Sequence, residues 1–136
     1  MKLVYPACFY EDEDGGYSVE IPDLKGCCTQ GDTLEETMEM AQDAALGWLL
    51  TSIEEEEEIP TPSKIEEIEL ENNNGFKTLL LLDIDQYSEK YGSKKAIKKT
   101  LTIPEWLNRR AEKIGINFSK TLQEALLSKI VSLKKK

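Results

Sequence analysis

The sequence predicts an α+β fold in two parts, an acidic sheet-and-helix domain at residues 1–90 and a basic β-α-α domain at residues 91–136. The first part carries 5 lysines against 23 acidic residues, a net charge of −18, and the second carries 12 basic against 3 acidic residues, a net charge of +9. In both parts, apolar residues alternate first and then recur at helical spacing. The charges indicate a tail that meets nucleic acid and a body that meets something basic.

Three strands are predicted at the start of the chain. In residues 3–10 the odd positions are apolar, and the same alternation marks Tyr17–Ile21 and, more briefly, Cys27–Gln30. Gly15 and Gly16 favour the positive φ angles of a hairpin turn between the first two strands. The three strands should therefore form an antiparallel meander.

A helix should follow, because Thr33 and Glu36 have the spacing of a capping box. The acidic run at residues 54–58 is expected to end this helix or to leave it for solvent. The apolar stripe expected to pack on the sheet is Leu34, Met38, Ala41, Ala45, Trp48 and Leu49.

One or two further strands complete the predicted first domain in the order β-β-β-α-β. Residues 59–62 form an extended connector, residues 64–70 alternate weakly, and residues 72–75 make a turn. Residues 76–84 hold the most apolar run, and four consecutive leucines favour a central strand buried on both faces.

The basic half begins with a short helical turn at residues 86–91 and a hinge at residues 92–95. Residues 98–103 then alternate as a short strand. Its inner face holds Leu101 and Ile103, and its outer face holds Lys98, Thr100 and Thr102. The outer face is either an ordinary exposed strand face or a surface that reads DNA bases.

Two helices are predicted after this strand. Pro104 suits the first helical position, Gly115 suits a left-handed end, and Asn117 can cap the second helix. The apolar stripes are Leu107, Ala111 and Ile114 in the first helix, and Phe118, Leu122, Ala125, Leu126, Ile130 and Leu133 in the second.

A segment of this size needs an oligomer, a metal or a disulfide in order to fold. The simplest solution is a homodimer in which the lone strand pairs with its copy. The resulting ribbon fits the DNA major groove, where Lys98, Thr100 and Thr102 would read bases. The N–H groups of Asn117, Phe118 and Ser119 would bind phosphate.

Other classes of function have weaker support in the sequence. The chain has no His, and Cys8, Cys27 and Cys28 have neither zinc-site nor disulfide spacing, so no cofactor or metal is expected. An enzyme would have to use Asp83 and Asp85 with Asp23 or Glu20 to hold magnesium. A stand-alone repressor that senses a small ligand is the other alternative. The start of the chain lacks a signal peptide and no stretch suits a membrane span, which predicts a cytoplasmic protein.

Two resemblances to known families join these observations. Residues 98–130 resemble the ribbon-helix-helix repressors of the MetJ and Arc superfamily. The first half resembles HicB antitoxins in Tyr5-Pro6-Ala7, in Asp14-Gly15-Gly16-Tyr17, and above all in residues 22–36, Pro-Asp-Leu-Lys-Gly-Cys followed by Thr-Gln-Gly-Asp-Thr-Leu-Glu-Glu. Together they cover nearly the whole chain.

The HicB resemblance implies a partial ribonuclease-H-like domain without catalytic activity, bound to a HicA-type toxin that cleaves mRNA. It also implies that a dimer represses its own operon at operator DNA, and it leaves room for a larger hetero-oligomer with toxin. Acidic residues around the hairpin are the candidate toxin contacts: Glu11, Asp12, Asp14, Glu20 and Asp23.

Overall fold

A computed structural model describes residues 1–92 and 96–134 and has the expected α+β composition. Most of the expected hinge at residues 92–95 lies outside the described residues. The elements are β1 (Lys2–Glu11), β2 (Tyr17–Glu20), β3 (Cys28–Gly31), α1 (Leu34–Glu54), a 3₁₀ turn (Ile65–Glu67), β4 (Gly75–Asp83), α2 (Ile84–Tyr91), α3 (Glu105–Ile114) and α4 (Phe118–Lys134).

The four strands form one antiparallel sheet in the order β3-β2-β1-β4. Helix α1 covers one face, which we call the core face, and the other is the back face. The core face carries the odd residues of β1 and the even residues of β4, with Tyr5 and Phe9 fully buried. The ring of Phe9 stacks on that of Phe76 with centroids 5.2 Å apart. The meander predicted from alternation is confirmed.

Helix α1 starts where the capping pattern predicts, because the Thr33 hydroxyl accepts a hydrogen bond from the Glu36 N–H at 3.1 Å. Its buried stripe contains Ala41, Ala45 and Leu49 as predicted, but Leu34 and Trp48 are only partly buried, and Leu50 and Ser52 are buried as well. Thr37 is buried and Met38 is exposed, since Thr37 packs beneath Gly31 and its hydroxyl bonds to the Thr33 carbonyl at 2.7 Å. A threonine can be buried here because its polar atom is satisfied.

The prediction of a central strand at residues 76–84 was wrong. Within the residues that the structure describes, β4 is an edge strand that pairs with β1 alone. Leu80 and Leu82 are buried on the core face, whereas Leu79 and Leu81 on the back face are half-exposed. A run of leucines does not show how many strands lie beside it or which of its faces is covered, so the sequence could not distinguish a strand with one buried face from a strand with two.

The weak alternation at residues 64–70 does not form a strand. A single 3₁₀ turn, Ile65–Glu67, stands there instead, and the Lys77 ammonium donates to the carbonyls of Ile65 at 3.1 Å and Ile68 at 2.9 Å. This connector therefore lies over the back face at one end of β4. It hydrogen-bonds to a side chain of the sheet rather than extending the sheet.

Helix α2 begins two residues earlier than expected, because the Asp83 carboxylate caps it by accepting from the Gln86 N–H at 3.3 Å. Helix α3 follows Pro104 and ends at Gly115, whose φ of +88° is the left-handed conformation predicted for it. The start of α2 and the end of α3 are thus determined by local hydrogen bonding and backbone conformation.

Helix α4 has two different faces. Val131 is fully buried in the same cluster as the core of the sheet, Leu127 packs against that cluster, and the Lys120 ammonium lies 3.2 Å from Glu89 of α2. The apolar stripe predicted for the interior of the tail is exposed on another side of the helix. Among the described helices, none is long and apolar enough to cross a bilayer.

Candidate functional site

An acidic groove of about 580 Å³ lies on the back face of the sheet at the β1–β2 hairpin. Three of the five candidate toxin contacts, Glu11, Asp12 and Glu20, line it together with Glu71 from the connector. Antiparallel register brings them together, since Cys8 is paired with Glu20 and Tyr10 with Ser18. The carboxylates of Asp12, Glu20 and Glu71 at one concave surface, with Glu11 beside it at the end of β1, create a strongly negative potential that favours a cationic partner.

The walls of the groove are fixed by hydrogen bonds. Ser18 donates to the Asp12 carboxylate at 3.2 Å, and the Glu71 N–H donates to the Tyr10 hydroxyl at 3.1 Å. On the opposite face of the hairpin, Tyr17 donates to the Glu11 carboxylate at 3.4 Å. Burial raises the pKa of the Tyr10 hydroxyl, and it also raises the pKa of the neighbouring Cys8 thiol. Both groups are therefore neutral near pH 7, and among the described residues that line the groove the carboxylates give it its charge.

Asp14 lies beside this groove rather than in it. Its carboxylate accepts from the Gly16 N–H at 3.2 Å, and Gly15 takes a φ of +91° in the same turn. Asp12 and Asp14 line a second depression of about 230 Å³ together with Asp32 and Glu36. The acidic surface thus continues around the hairpin towards the start of α1.

Asp23 has a different role from the other four acidic residues. Its two carboxylate oxygens accept hydrogen bonds from the Ser63 N–H at 2.8 Å and the Ser63 hydroxyl at 2.6 Å. Close by, the Tyr5 hydroxyl donates to the Pro60 carbonyl, and burial, with a smaller contribution from Asp23, raises the pKa of Tyr5. Asp23 holds the connector against the body and is not part of the groove.

In the basic half, residues 96–104 have no regular secondary structure in the single chain, and Lys98, Thr100 and Thr102 are exposed. Leu101 and Ile103 are exposed as well, so neither face of the predicted strand is covered within one chain. Asn117 caps α4 by accepting from the Lys120 N–H at 3.0 Å. Phe118 and Ser119 follow in the first turn, at the end of the helix that favours anions.

Many large apolar side chains on the tail are open to solvent. The exposed residues of α3 and α4 are Trp106, Leu107, Ile114, Phe118, Leu122, Leu126, Ile130 and Leu133. Soluble monomers rarely expose so many large apolar residues in one region, and such surfaces mark sites of association.

Comparison with known proteins assigns the chain to a family. The family model described as "HicB_like antitoxin of bacterial toxin-antitoxin system" matches residues 5–131. The chain belongs to the HicB-like antitoxin family. This match includes both the acidic body and most of the basic tail.

Individual relatives of this HicB-like chain agree with the family match. It is 32% identical over 111 residues to an uncharacterized 14.9 kDa protein of Haemophilus phage HP1, covering 81% of this chain and 80% of that protein. It is 42% identical over 82 residues to Antitoxin HicB 2 of Photorhabdus laumondii, covering 59% of this chain and 58% of that antitoxin. The chain thus spans just over half of that named antitoxin.

A solved structure covers both halves of the HicB-like chain. It is a chain of a toxin-antitoxin complex from Streptococcus pneumoniae, with a TM-score of 0.60 and 31% identity over 95% of this chain and 99% of that chain. The mixed α+β architecture with a four-stranded antiparallel sheet is therefore an architecture found among toxin-antitoxin proteins.

The carboxylates considered for an enzyme are engaged separately in this HicB-like protein. Asp83 caps α2, Asp85 contacts the amino group of Met1, Asp23 binds Ser63, and Glu20 lies in the groove. Within residues 1–92 and 96–134, no group of three or more acidic or cysteine side chains is arranged to hold a metal ion. These contacts give no support to a magnesium site.

Sequence reasoning missed two features of the site. Glu71 joins the groove from a connector 60 residues after Glu11, and no local pattern signals that approach. The exposed leucines of β4 were also missed, because they were assigned to a buried strand. Among the cysteines, Cys8 and Cys27 are buried, whereas Cys28 is exposed.

Proposed function

We propose that this protein is an antitoxin that binds and neutralises a HicA-type, mRNA-cleaving toxin, and that as a homodimer it binds operator DNA and represses its own operon. Membership of the HicB-like family over residues 5–131 is the observation that carries the proposal. Messenger RNA and operator DNA are both cytoplasmic in bacteria, so the protein would act in the cytoplasm.

The acidic groove is the proposed contact for the toxin. A protein that cleaves RNA needs a cationic surface for its substrate, and the groove offers Asp12, Glu20 and Glu71 to such a surface, with Glu11 beside it at the end of β1. Asp14 extends the same charge towards α1. The mechanism is steric: the acidic body occupies the RNA-binding surface of the toxin, and no chemical step by the antitoxin is needed.

Charge reversal tests this contact against the rest of the acidic body. The groove variant is Glu11→Lys/Asp12→Lys/Glu20→Lys, and the matched control is Glu35→Lys/Glu39→Lys/Asp43→Lys on the exposed face of α1, which changes the net charge equally. Affinity for the toxin should fall by about 100-fold or more in the groove variant, since juxtaposed like charges cost several kcal/mol. If only the α1 variant releases RNA cleavage, the contact lies on the helix instead.

For the tail, we propose a ribbon-helix-helix dimer, with a domain boundary near residue 90. Support comes from the exposed apolar stripes of α3 and α4 and from the uncovered Leu101 and Ile103. In a dimer, residues 98–103 would gain a strand partner in the second copy and the stripes would form a shared interior. Larger assemblies with toxin would follow if each acidic body binds one toxin.

Lys98, Thr100 and Thr102 would then face the major groove twice, and the α4 start at Asn117, Phe118 and Ser119 would clamp phosphate. Operator binding by alanine variants tests this arrangement. Lys98→Ala should cost about 1 to 3 kcal/mol on the operator if the lysine reads a base, with a smaller loss on unrelated DNA. Lys129→Ala, far along α4 from Asn117, is the control and should have little effect on either DNA.

A further inference from the structure

The two edges of the sheet differ in length and character. Strand β3 has four residues and its exposed positions, Cys28 and Gln30, are small or polar. Strand β4 has nine residues, and on its back face Leu79 is 51% exposed and Leu81 is 54% exposed. Val4 of β1, which is paired with Leu81, is also 41% exposed on the same face. A long, apolar edge is a template for pairing with another strand.

Backbone hydrogen bonds show which groups of β4 point outwards. The Ile84 N–H donates to the Met1 carbonyl, and the Glu11 N–H donates to the Asn74 carbonyl. The even-numbered residues of β4 therefore exchange hydrogen bonds with β1. The odd-numbered residues of β4 direct their N–H and C=O groups away from β1. The Leu81 carbonyl fits this pattern, because it accepts from the Gln42 amide of α1 at 3.1 Å.

We propose that β4 pairs antiparallel with β4 of a second copy of this chain, across a twofold axis at Leu80. Only registers that place odd residues opposite odd residues match the outward-pointing groups. In the register centred on Leu80, Leu79 faces Leu81 of the partner and Lys77 faces Asp83 of the partner. Each pair occurs twice, as twofold symmetry requires.

Chemistry selects this register over the neighbouring ones. Centring on Leu79 would put Lys77 opposite Leu81, and centring on Leu81 would put Asp83 opposite Leu79. Each would place a charged side chain against an apolar one. The Leu80 register instead joins two leucine pairs and two opposite-charge pairs, which are the favourable cross-strand combinations.

A second copy is the occupant that this edge fits, because the edge is complementary to itself in both polarity and charge. Side chains of Lys77 and Asp83 keep their present contacts with the connector and with α2, and Gln42 caps a carbonyl that has a second lone pair. The pairing would join two acidic bodies into an eight-stranded sheet. It would do so independently of the tail, and so it goes beyond the proposed function.

The test measures the mass of the full chain by sedimentation or light scattering between about 1 and 100 µM, a range that brackets the affinity of weak interfaces. Leu122→Lys/Leu126→Lys, on the exposed stripe of α4, is the background in which the proposed tail dimer is disrupted. In this background the chain should still be a dimer, and adding Leu79→Lys/Leu81→Lys should make it a monomer. Cys28→Lys/Gln30→Lys on β3 adds the same charge to the opposite edge and should leave the dimer intact.

Hydrogen exchange provides a second readout that does not depend on any β4 variant. In the same background, the Leu79 and Leu81 amides should be protected at high concentration and should exchange faster on dilution. Circular dichroism confirms that each variant is folded. The proposal is overturned if the background variant is a monomer throughout, or if the β3 and β4 variants behave alike.

Failure of the proposed function would look different. If the tail did not dimerise, the tail variant would have the mass of the wild type, but the β4 variant would still lower it. If the β4 variant instead lost toxin binding without any change in mass, the edge would belong to the toxin and self-pairing would be refuted.

Discussion

Removing the Asp23 carboxylate should destabilise the body without changing the toxin-binding surface. Asp23 accepts two hydrogen bonds from Ser63, at 2.8 and 2.6 Å, in a half-buried setting. Hydrogen bonds to charged groups contribute about 1.5 to 3 kcal/mol each, and partial exposure favours the lower value. Asp23→Ala should therefore lower the free energy of unfolding by about 3 kcal/mol.

Urea denaturation measures this effect. With a slope of about 2 kcal/mol per molar urea, typical of a small protein, the midpoint should fall by about 1.5 M. Ser63→Ala removes only the hydroxyl bond and should cost about half as much. Asp12→Ala is the matched control, because its carboxylate is exposed and its bond to Ser18 is longer, so its midpoint should shift little.

The same variants separate a structural role for Asp23 from a toxin contact. Under conditions where Asp23→Ala is folded, it should neutralise toxin as well as the wild type does. A midpoint within about 0.3 M of the wild type would show that the Ser63 bonds do not hold the connector. A folded Asp23→Ala protein that fails to bind toxin would place Asp23 in the interface after all.

Three further predictions concern the tail, the core and the thiols. Gly115→Ala places a β-carbon on a backbone with φ of +88° and should lower the free energy of unfolding by about 1 kcal/mol, as measured by a thermal or urea melt. The control is Gly47→Ala in α1, where φ is ordinary and the added β-carbon needs only a small shift of the Tyr87 hydroxyl 3.2 Å away. Leu49→Ala, at a fully buried position of α1, should cost about 2 to 5 kcal/mol by the same measure, and exposed Met38→Ala should cost far less. Burial, with a smaller effect from Cys28, raises the pKa of Cys27 to about 11. The thiol of the unfolded chain loses its proton at a lower pH than the folded one, so the stability that Cys27 contributes is complete below about pH 9 and is lost as the pH rises towards 11. The urea midpoint of the wild type should therefore fall over that interval by more than the midpoint of Cys27→Ala.

Local chemistry in the sequence predicted most elements of the body correctly. Alternation located the first three strands, Thr33 marked the start of α1, and Gly115 marked the end of α3. Each of these signals acts within a few residues, through a hydrogen bond or a φ angle that one side chain determines. Charge distinguishes an acidic first part from a basic second part, and the domain boundary between them stays a prediction.

Features that depend on distant partners were not predictable in this way. The leucines of β4 were predicted to be buried on both faces of the sheet. Only the tertiary pairing of the strands decides that β4 has β1 as its one neighbour among the described strands. Glu71 lines the groove, and Asp23 binds Ser63 instead of lining it, because the connector folds over the back face. No periodic pattern in the sequence predicts this path of the connector. Thr37 replaced Met38 in the buried stripe because Gly31 allows the helix to approach closely.

The ion pair between Lys120 and Glu89 affects how strongly salt should weaken the proposed DNA complex. Counting cations in the tail would include Lys120 among the groups that displace counterions from a duplex, since it lies in the first turn of α4. Its ammonium is already 3.2 Å from a carboxylate of the body, so it brings little net charge to a phosphate. The logarithmic dependence of operator affinity on salt should therefore be shallower, by about one unit of slope per chain, than the number of lysines suggests.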